Sequence, residues 1–247
     1  MTDFPLPFTA PMVRALLDGR KTQTRRLLKK TNTQFNGHAW PKELIFGDCD
    51  WASAYVDDGP SPAGNIGPYL HVKWPYGKIF DQSDEILTAR VYPKYQIGDQ
   101  LWVKETLKYE SHISKWVYAA DGAIVENQLE TPSPLRCPYG VAPSTFMPKS
   151  ASRLTLTITG VKIERLQDIS EADAIAEGVE LERCCGSPHR EGFPSGSCCG
   201  QPDMTDPVEE YRTLWNSING PDAWDANPWV IALTFDVHHG NIDGVRA

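Results

Sequence analysis

The segment Gly19-Arg20-Lys21-Thr22-Gln23-Thr24-Arg25-Arg26 concentrates cations and hydroxyls in a chain that is acidic overall. Between Arg14 and Lys30 there are seven basic residues against one acid, Asp18, while the 247-residue chain carries a net charge of −8. A basic cluster confined to one segment of an acidic protein points to an anionic ligand there. Non-specific adhesion to polyanions would need positive charge over a whole surface. The arginines also act on the lysine. Like charges disfavour a protonated amine, so Lys21 is expected to have a lowered pKa. It could then attack as a nucleophile or, if it stays charged, polarise a carbonyl. Thr24, three residues on, offers a hydroxyl that can converge with Lys21 in a compact turn. Arg20, Arg25 and Arg26 are candidate phosphate holders. A solvated, positively charged turn is the alternative that the same residues allow.

Acid–base work needs a carboxylate as well. Glu177 falls in the last turn of a helix opened by the capping box Ser170-Glu171-Ala172-Asp173 and stopped by Gly178. There the negative end of the helix dipole disfavours an anion, which suits a proton shuttle. A surface glutamate before a glycine stop is the plain alternative. Glu105 is a second candidate, at the end of the strand Gln100-Leu101-Trp102-Val103-Lys104-Glu105, with an ion pair to an arginine as its other reading. Within that strand Trp102 and Lys104 share the less apolar face, an arrangement suited to stacking on a base; packing beneath a lid is the alternative.

Cys184, Cys185, His189, Cys198 and Cys199 lie within sixteen residues, among glycines and prolines. They could hold a structural zinc as a Cys₃His or Cys₄ site, because so apolar-poor a loop has little else to order it. The adjacent Cys-Cys pairs depart from the C-x₂-C spacing of zinc knuckles, so a reduced, flexible loop is the competing reading. No catalytic metal or other cofactor is expected for the chemistry.

These groups must be positioned by a scaffold. Thr9 caps a predicted helix over 10–18, whose i,i+4 pairs Met12/Leu16 and Val13/Leu17 form an apolar face and which Gly19 ends. The clearest strand runs from Arg153 to Arg165. Its alternation changes phase at Gly160, which predicts a bulge. Asp206-Pro207-Val208-Glu209 opens a helix to about Ile218, and Trp229 to Val237 reads as a final buried strand, with His238 and His239 in a tail beyond it. Three stretches depart from this pattern: insertions at about 31–85 and 106–148, read as loop-rich apart from a short strand at Trp116–Ala120 ended by the turn Asp121-Gly122, and the Cys-rich loop at about 182–205. The expected architecture is one α+β domain, a small mixed β-barrel with flanking helices. With 40% hydrophobic and 23% charged residues, no apolar run near a membrane span and no secretory leader at Met1-Thr2-Asp3-Phe4-Pro5, a cytoplasmic protein is expected, its thiols reduced. The oligomeric state is not legible.

Several segments, in order, resemble the ASCH family, which has a PUA-like barrel fold. They are Ala15 to Arg25, Gly98 to Glu105 and Leu166 to Gly178. Met147 to Arg153, Leu214 to Gly220 and Trp224 to Val230 look like its phage and prophage branch, which would put the protein in a bacterial cytoplasm. The blocks cover somewhat under half of the chain and leave out the insertions and the Cys-rich loop. The resemblance implies RNA or a modified nucleoside as partner. A bacterial ASCH protein similar in its GRKTxT motif is an amidohydrolase on N4-acetylcytidine, and on that pattern the catalytic positions here are Lys21, Thr24 and Glu177. A non-catalytic reader of RNA or modified bases is the alternative, and a ribonuclease, as in another branch, is the third.

Overall fold

The structure is a computed structural model and describes residues 3–28, 33–34, 50–59, 68–73, 88–126, 137–180 and 206–245. The fold is α+β and mostly sheet. Five strands form the main sheet: β1 (Asp3–Pro7), β2 (Gln23–Leu27), β7 (Gln100–Lys104), β11 (Leu154–Arg165) and β12 (Trp229–His239). Their order is β1-β7-β11-β12-β2, with β1 parallel to β7 and the other pairs antiparallel. The long β11–β12 ribbon is its centre. Its register shifts between Ile158 and Gly160, where the alternation of the sequence changes phase. The bend lets one ribbon serve two cores.

On the near side of the bend, α1 (Ala10–Leu17) lays Val13 and Leu16 against Leu101, Val103, Leu156, Leu233 and Phe235. Gly19 takes φ +71°, the left-handed conformation that ends such a helix without a Cβ penalty. Beyond the bend, α2 (Glu171–Ala176) and α3 (Pro207–Asn219) cover Val230 with Ala174, Tyr211 and Trp215. Both helices start as their sequences require: Ser170 Oγ accepts from the Asp173 N–H, and Asp206 Oδ1 from the Val208 N–H.

The two insertions are more regular than their composition suggests. Within 31–91, β3 (Thr33–Gln34), β4 (Asp50–Asp57), β5 (Tyr69–Lys73) and β6 (Thr88–Val91) form a second sheet in the order β3-β6-β5-β4. Leu70, Val72 and Val91 are buried against Ile163 of β11, and that burial, not a strong local pattern, holds the strands. Within 106–148, β8 (Leu107–Glu110), β9 (Lys115–Tyr118) and β10 (Val141–Ala142) form a third sheet around Leu107, Trp116, Val125 and Met147. His238 and His239 belong to β12, not to a tail; His238 Nε2 lies 3.0 Å from Thr157 Oγ1. The Cys-rich loop, with Cys184, Cys185, His189, Cys198 and Cys199, lies outside the described residues. Among the described residues, no group of three His, Cys, Asp or Glu is placed to hold a metal, and no helix is long and apolar enough to cross a membrane.

Among the described residues the main sheet does not close into a barrel. Its two edge strands, β1 and β2, are joined instead by a side chain: Arg26 Nη2 donates to the Pro7 carbonyl at 2.7 Å. The edge of β1 is prepared for this by its prolines. Phe8 N–H donates to the Lys104 carbonyl, so the alternate residues Pro5 and Pro7 turn their backbone away from β7. Neither has an N–H to lose there, and at Pro5 and Pro7 the open edge presents carbonyls alone.

Candidate functional site

Thr24, Arg25 and Arg26 lie on β2, not in a turn. Thr24 pairs with Leu233 and Arg26 with Ile231, so these two face the α1 side of the sheet while Gln23 and Arg25 face α2 and α3. Lys21 sits just before the strand. Its N–H donates to the Ala15 carbonyl, and the Thr22 N–H to the Ala176 carbonyl, which fastens the basic segment to the ends of both α1 and α2. Gly178 makes the second contact possible. It takes φ +84°, and a Cβ there would stand 2.8 Å from Ala15 Cβ and 2.9 Å from Lys21 Cβ.

Lys21 is fully buried, at 0% exposure. Its Nζ donates to the Glu177 carbonyl at 2.7 Å and to Glu177 Oε2 at 2.8 Å. Burial lowers the Lys21 pKa, Glu177 opposes that, and Arg26 and Arg25 add to it. The direction expected from the sequence therefore holds, but desolvation is its main cause and like charge a lesser one. Arg25 is equally enclosed. Its guanidinium donates to Glu164 Oε1 (2.8 Å), Asp173 Oδ2 (3.1 Å), Glu177 Oε1 (3.3 Å) and Gln23 Oε1 (2.8 Å). Burial alone would lower its pKa, yet Glu177 and Glu164 outweigh it and raise the value. Gln23 Nε2 closes the ring on Asp173 Oδ1. The basic cluster is thus turned inward and neutralised by acids contributed from β11 and α2.

A cavity of about 570 Å³ opens beside this network, between the edges of β1 and β2. Pro5, Leu6 and Pro7 form one wall; Thr24, Arg25, Arg26 and Leu27 form the other. Helix α3 roofs it with Tyr211, Leu214, Trp215 and Ile218, and Glu177 is the one carboxylate among the described lining residues. Lys94 and Tyr95 stand at its β1 side. Burial raises the Tyr211 phenol well above its usual range, with Glu177 adding to the effect, so its hydroxyl stays protonated and available to donate. Two lining donors, Arg26 Nε and the Trp215 indole Nε1, are buried with no hydrogen-bond partner. An apolar cavity with a few convergent polar groups and perturbed ionisable residues is the usual form of a small-molecule site.

The residues singled out in the sequence divide accordingly. Lys21, Thr24, Arg25, Arg26 and Glu177 come together. Arg20 lies on the surface against Asp18 and Glu180. Trp102, Lys104 and Glu105 are not among the lining residues of the cavity. Lys104 Nζ lies 5.3 Å from the Trp102 ring centroid but donates to the Thr145 carbonyl. Glu105 is buried and bonded through both oxygens to Arg153, so the ion-pair reading applies to it. Sequence reasoning missed Tyr211 and Trp215, which a helical i,i+4 aromatic pair on α3 could have signalled. It also missed Asp173 and Glu164 as partners of Arg25, and no local pattern announces them.

In comparisons with known proteins, no family model, curated protein or solved structure matches this chain.

Proposed function

We propose that this chain is an ASCH-type protein of PUA-like fold that hydrolyses an amide on a modified nucleoside of the N4-acetylcytidine kind. The observation that carries this reading is Glu177, the one carboxylate among the described residues lining a cavity of mixed polar and apolar walls, with its two oxygens held by Lys21 and Arg25. A carboxylate fixed in orientation and facing a cavity is what general acid–base catalysis needs. Two further features support a flat, uncharged base beneath α3: the aromatic and aliphatic roof, and the neutralisation of Arg25 by acids. The cations are not arrayed along an open groove of the kind a polynucleotide backbone occupies.

In this reading Glu177 takes a proton from water as the water oxygen attacks the acyl carbon. The carbonyl becomes an oxyanion, which the Thr24 and Tyr211 hydroxyls are available to stabilise. Collapse re-forms the carbonyl, breaks the C–N bond and returns the proton from Glu177 to the leaving amine. The products are the free carboxylic acid and the deacylated base. Lys21 is a positioning residue in this scheme, because it is wholly buried and reaches the cavity through Glu177.

The test is turnover of N4-acetylcytidine by the purified protein, followed by chromatography of cytidine. Glu177→Gln should abolish turnover while retaining binding. Turnover that survives Glu177→Gln overturns the acid–base role, and binding without turnover in the parent protein assigns a reader of modified bases instead.

A further inference from the structure

Of the cations of the basic segment, three have counter-ions. Lys21 pairs with Glu177, Arg25 with Glu164, Asp173 and Glu177, and Arg20 with Asp18 and Glu180. Arg26 has none among the described residues. Its guanidinium carbon lies 5.1 Å from the Phe8 ring centroid, and its Nη2 donates to a neutral carbonyl, that of Pro7. Its Nε is buried without a partner. Burial lowers its pKa, with Glu177 the largest opposing influence, yet both Glu177 oxygens are already bonded to Lys21 and Arg25. Arg26 is half-buried, and its guanidinium has no anion to offset its charge.

Arg26 lines the cavity, and so does a second cation, the exposed Lys94. The Lys94 ammonium lies 4.5 Å from the Phe4 ring centroid and 5.4 Å from that of Tyr95, and among the described residues it forms no ion pair. Tyr95 also lines the cavity. Burial raises its pKa and Arg26 opposes this, so the phenol remains a donor. Three donors from two segments, Arg26 on β2 and the neighbours Lys94 and Tyr95 beside β1, therefore border the cavity where the Arg26 guanidinium reaches Pro7, and neither Pro5 nor Pro7 offers an N–H there.

We infer that this side of the cavity is an oxyanion subsite, in which a carboxylate or phosphate monoester on the ligand pairs with Arg26 and Lys94. The planar, forked guanidinium suits the geometry of either group. Resting on the hydrolase reading above, the subsite makes the preferred substrate an acylated nucleoside 5′-monophosphate, not the free nucleoside. The cavity volume of about 570 Å³ lies within the usual size of small-molecule sites.

Calorimetric titration at fixed ionic strength tests this with four probes: N4-acetylcytidine, its 5′-monophosphate, inorganic phosphate and hexanoate. The parent protein should bind the monophosphate about tenfold or more tightly than the nucleoside, the amount expected for a charge-assisted contact. That preference should shrink with added salt and vanish in Arg26→Gln and Lys94→Glu. Equal binding of nucleoside and monophosphate overturns the subsite, as does a preference unchanged in Lys94→Glu. The exposed position of Lys94 keeps that variant informative if Arg26→Gln fails to fold. Should neither nucleoside nor nucleotide bind, the hydrolase reading fails alone. Hexanoate or phosphate binding that is lost in Lys94→Glu would then uphold the oxyanion subsite and choose between its two anions, and no binding of either would overturn it.

Discussion

Replacing Lys21 by methionine removes a buried ammonium and keeps most of the volume of its stem. The Nζ bonds of 2.7 and 2.8 Å to Glu177 disappear, leaving the carboxylate with one bond, 3.3 Å to Arg25 Nη1. Breaking a buried ion pair from one side costs about 3–5 kcal/mol, since the remaining charge is left uncompensated. Arg25 retains part of the compensation, so about 3 kcal/mol is expected for Lys21→Met. Glu177→Gln is milder. Lys21 keeps the Glu177 main-chain carbonyl and gains an amide oxygen, and a loss of about 2 kcal/mol follows. In the double variant no unpaired charge remains between the two positions, and the cost should be about 3 kcal/mol, well under the sum of the single losses. The assay is urea unfolding followed by tryptophan fluorescence at pH 7, for which the chain supplies eight tryptophans. A Lys21→Met loss below about 1 kcal/mol would refute the reasoning. So would single losses that add in the double variant to within about 0.5 kcal/mol.

Gly178→Ala should destabilise by about 2–4 kcal/mol, because its Cβ would press on Ala15 and Lys21 in a left-handed backbone conformation; thermal melting reads the loss, and turnover should fall with it as Lys21 moves. Arg153→Met should cost about 3 kcal/mol by stranding the buried Glu105, while Glu105→Gln should leave turnover at the parent rate, since Glu105 lies apart from the cavity. Tyr118 is held up to about 12, chiefly by burial and then by Glu105. The unfolded phenol ionises near its ordinary value of 10.0, so from there to about 12 the unfolded chain binds fewer protons and stability falls as pH rises. Tyr118 alone should contribute at most about 3 kcal/mol of that loss, with Tyr95 and Tyr211 acting in the same direction. Denaturant midpoints measured from pH 9 to 12 should therefore drop less steeply in Tyr118→Phe, and an unchanged slope would remove Tyr118 as a source.

Much of the scaffold is local and was legible. Caps at Ser170 and Asp206 act through bonds to residues two or three positions away, and the glycine stop at Gly19 depends on its own φ. The bulge at Gly160 follows from a phase change visible in the chain. The sheet inside 31–91 was hidden, and of that inside 106–148 only the strand at about Trp116–Ala120 was legible, because short strands held by tertiary burial carry little signal of their own.

For the site, the amino-acid sequence by itself determined which groups are present: an amine, a hydroxyl and two arginines on one short segment, and a carboxylate just before a glycine far along the chain. Only the tertiary structure decided which cations are consumed. Arg25, Lys21 and Arg26 look equivalent in the chain, yet the first two meet carboxylates from β11, α2 and Glu177 while Arg26 meets a carbonyl and a ring. The reason is that charge in a protein is set by partners and by loss of solvent, and the acids that meet Lys21 and Arg25 come from 139 or more residues away in the chain.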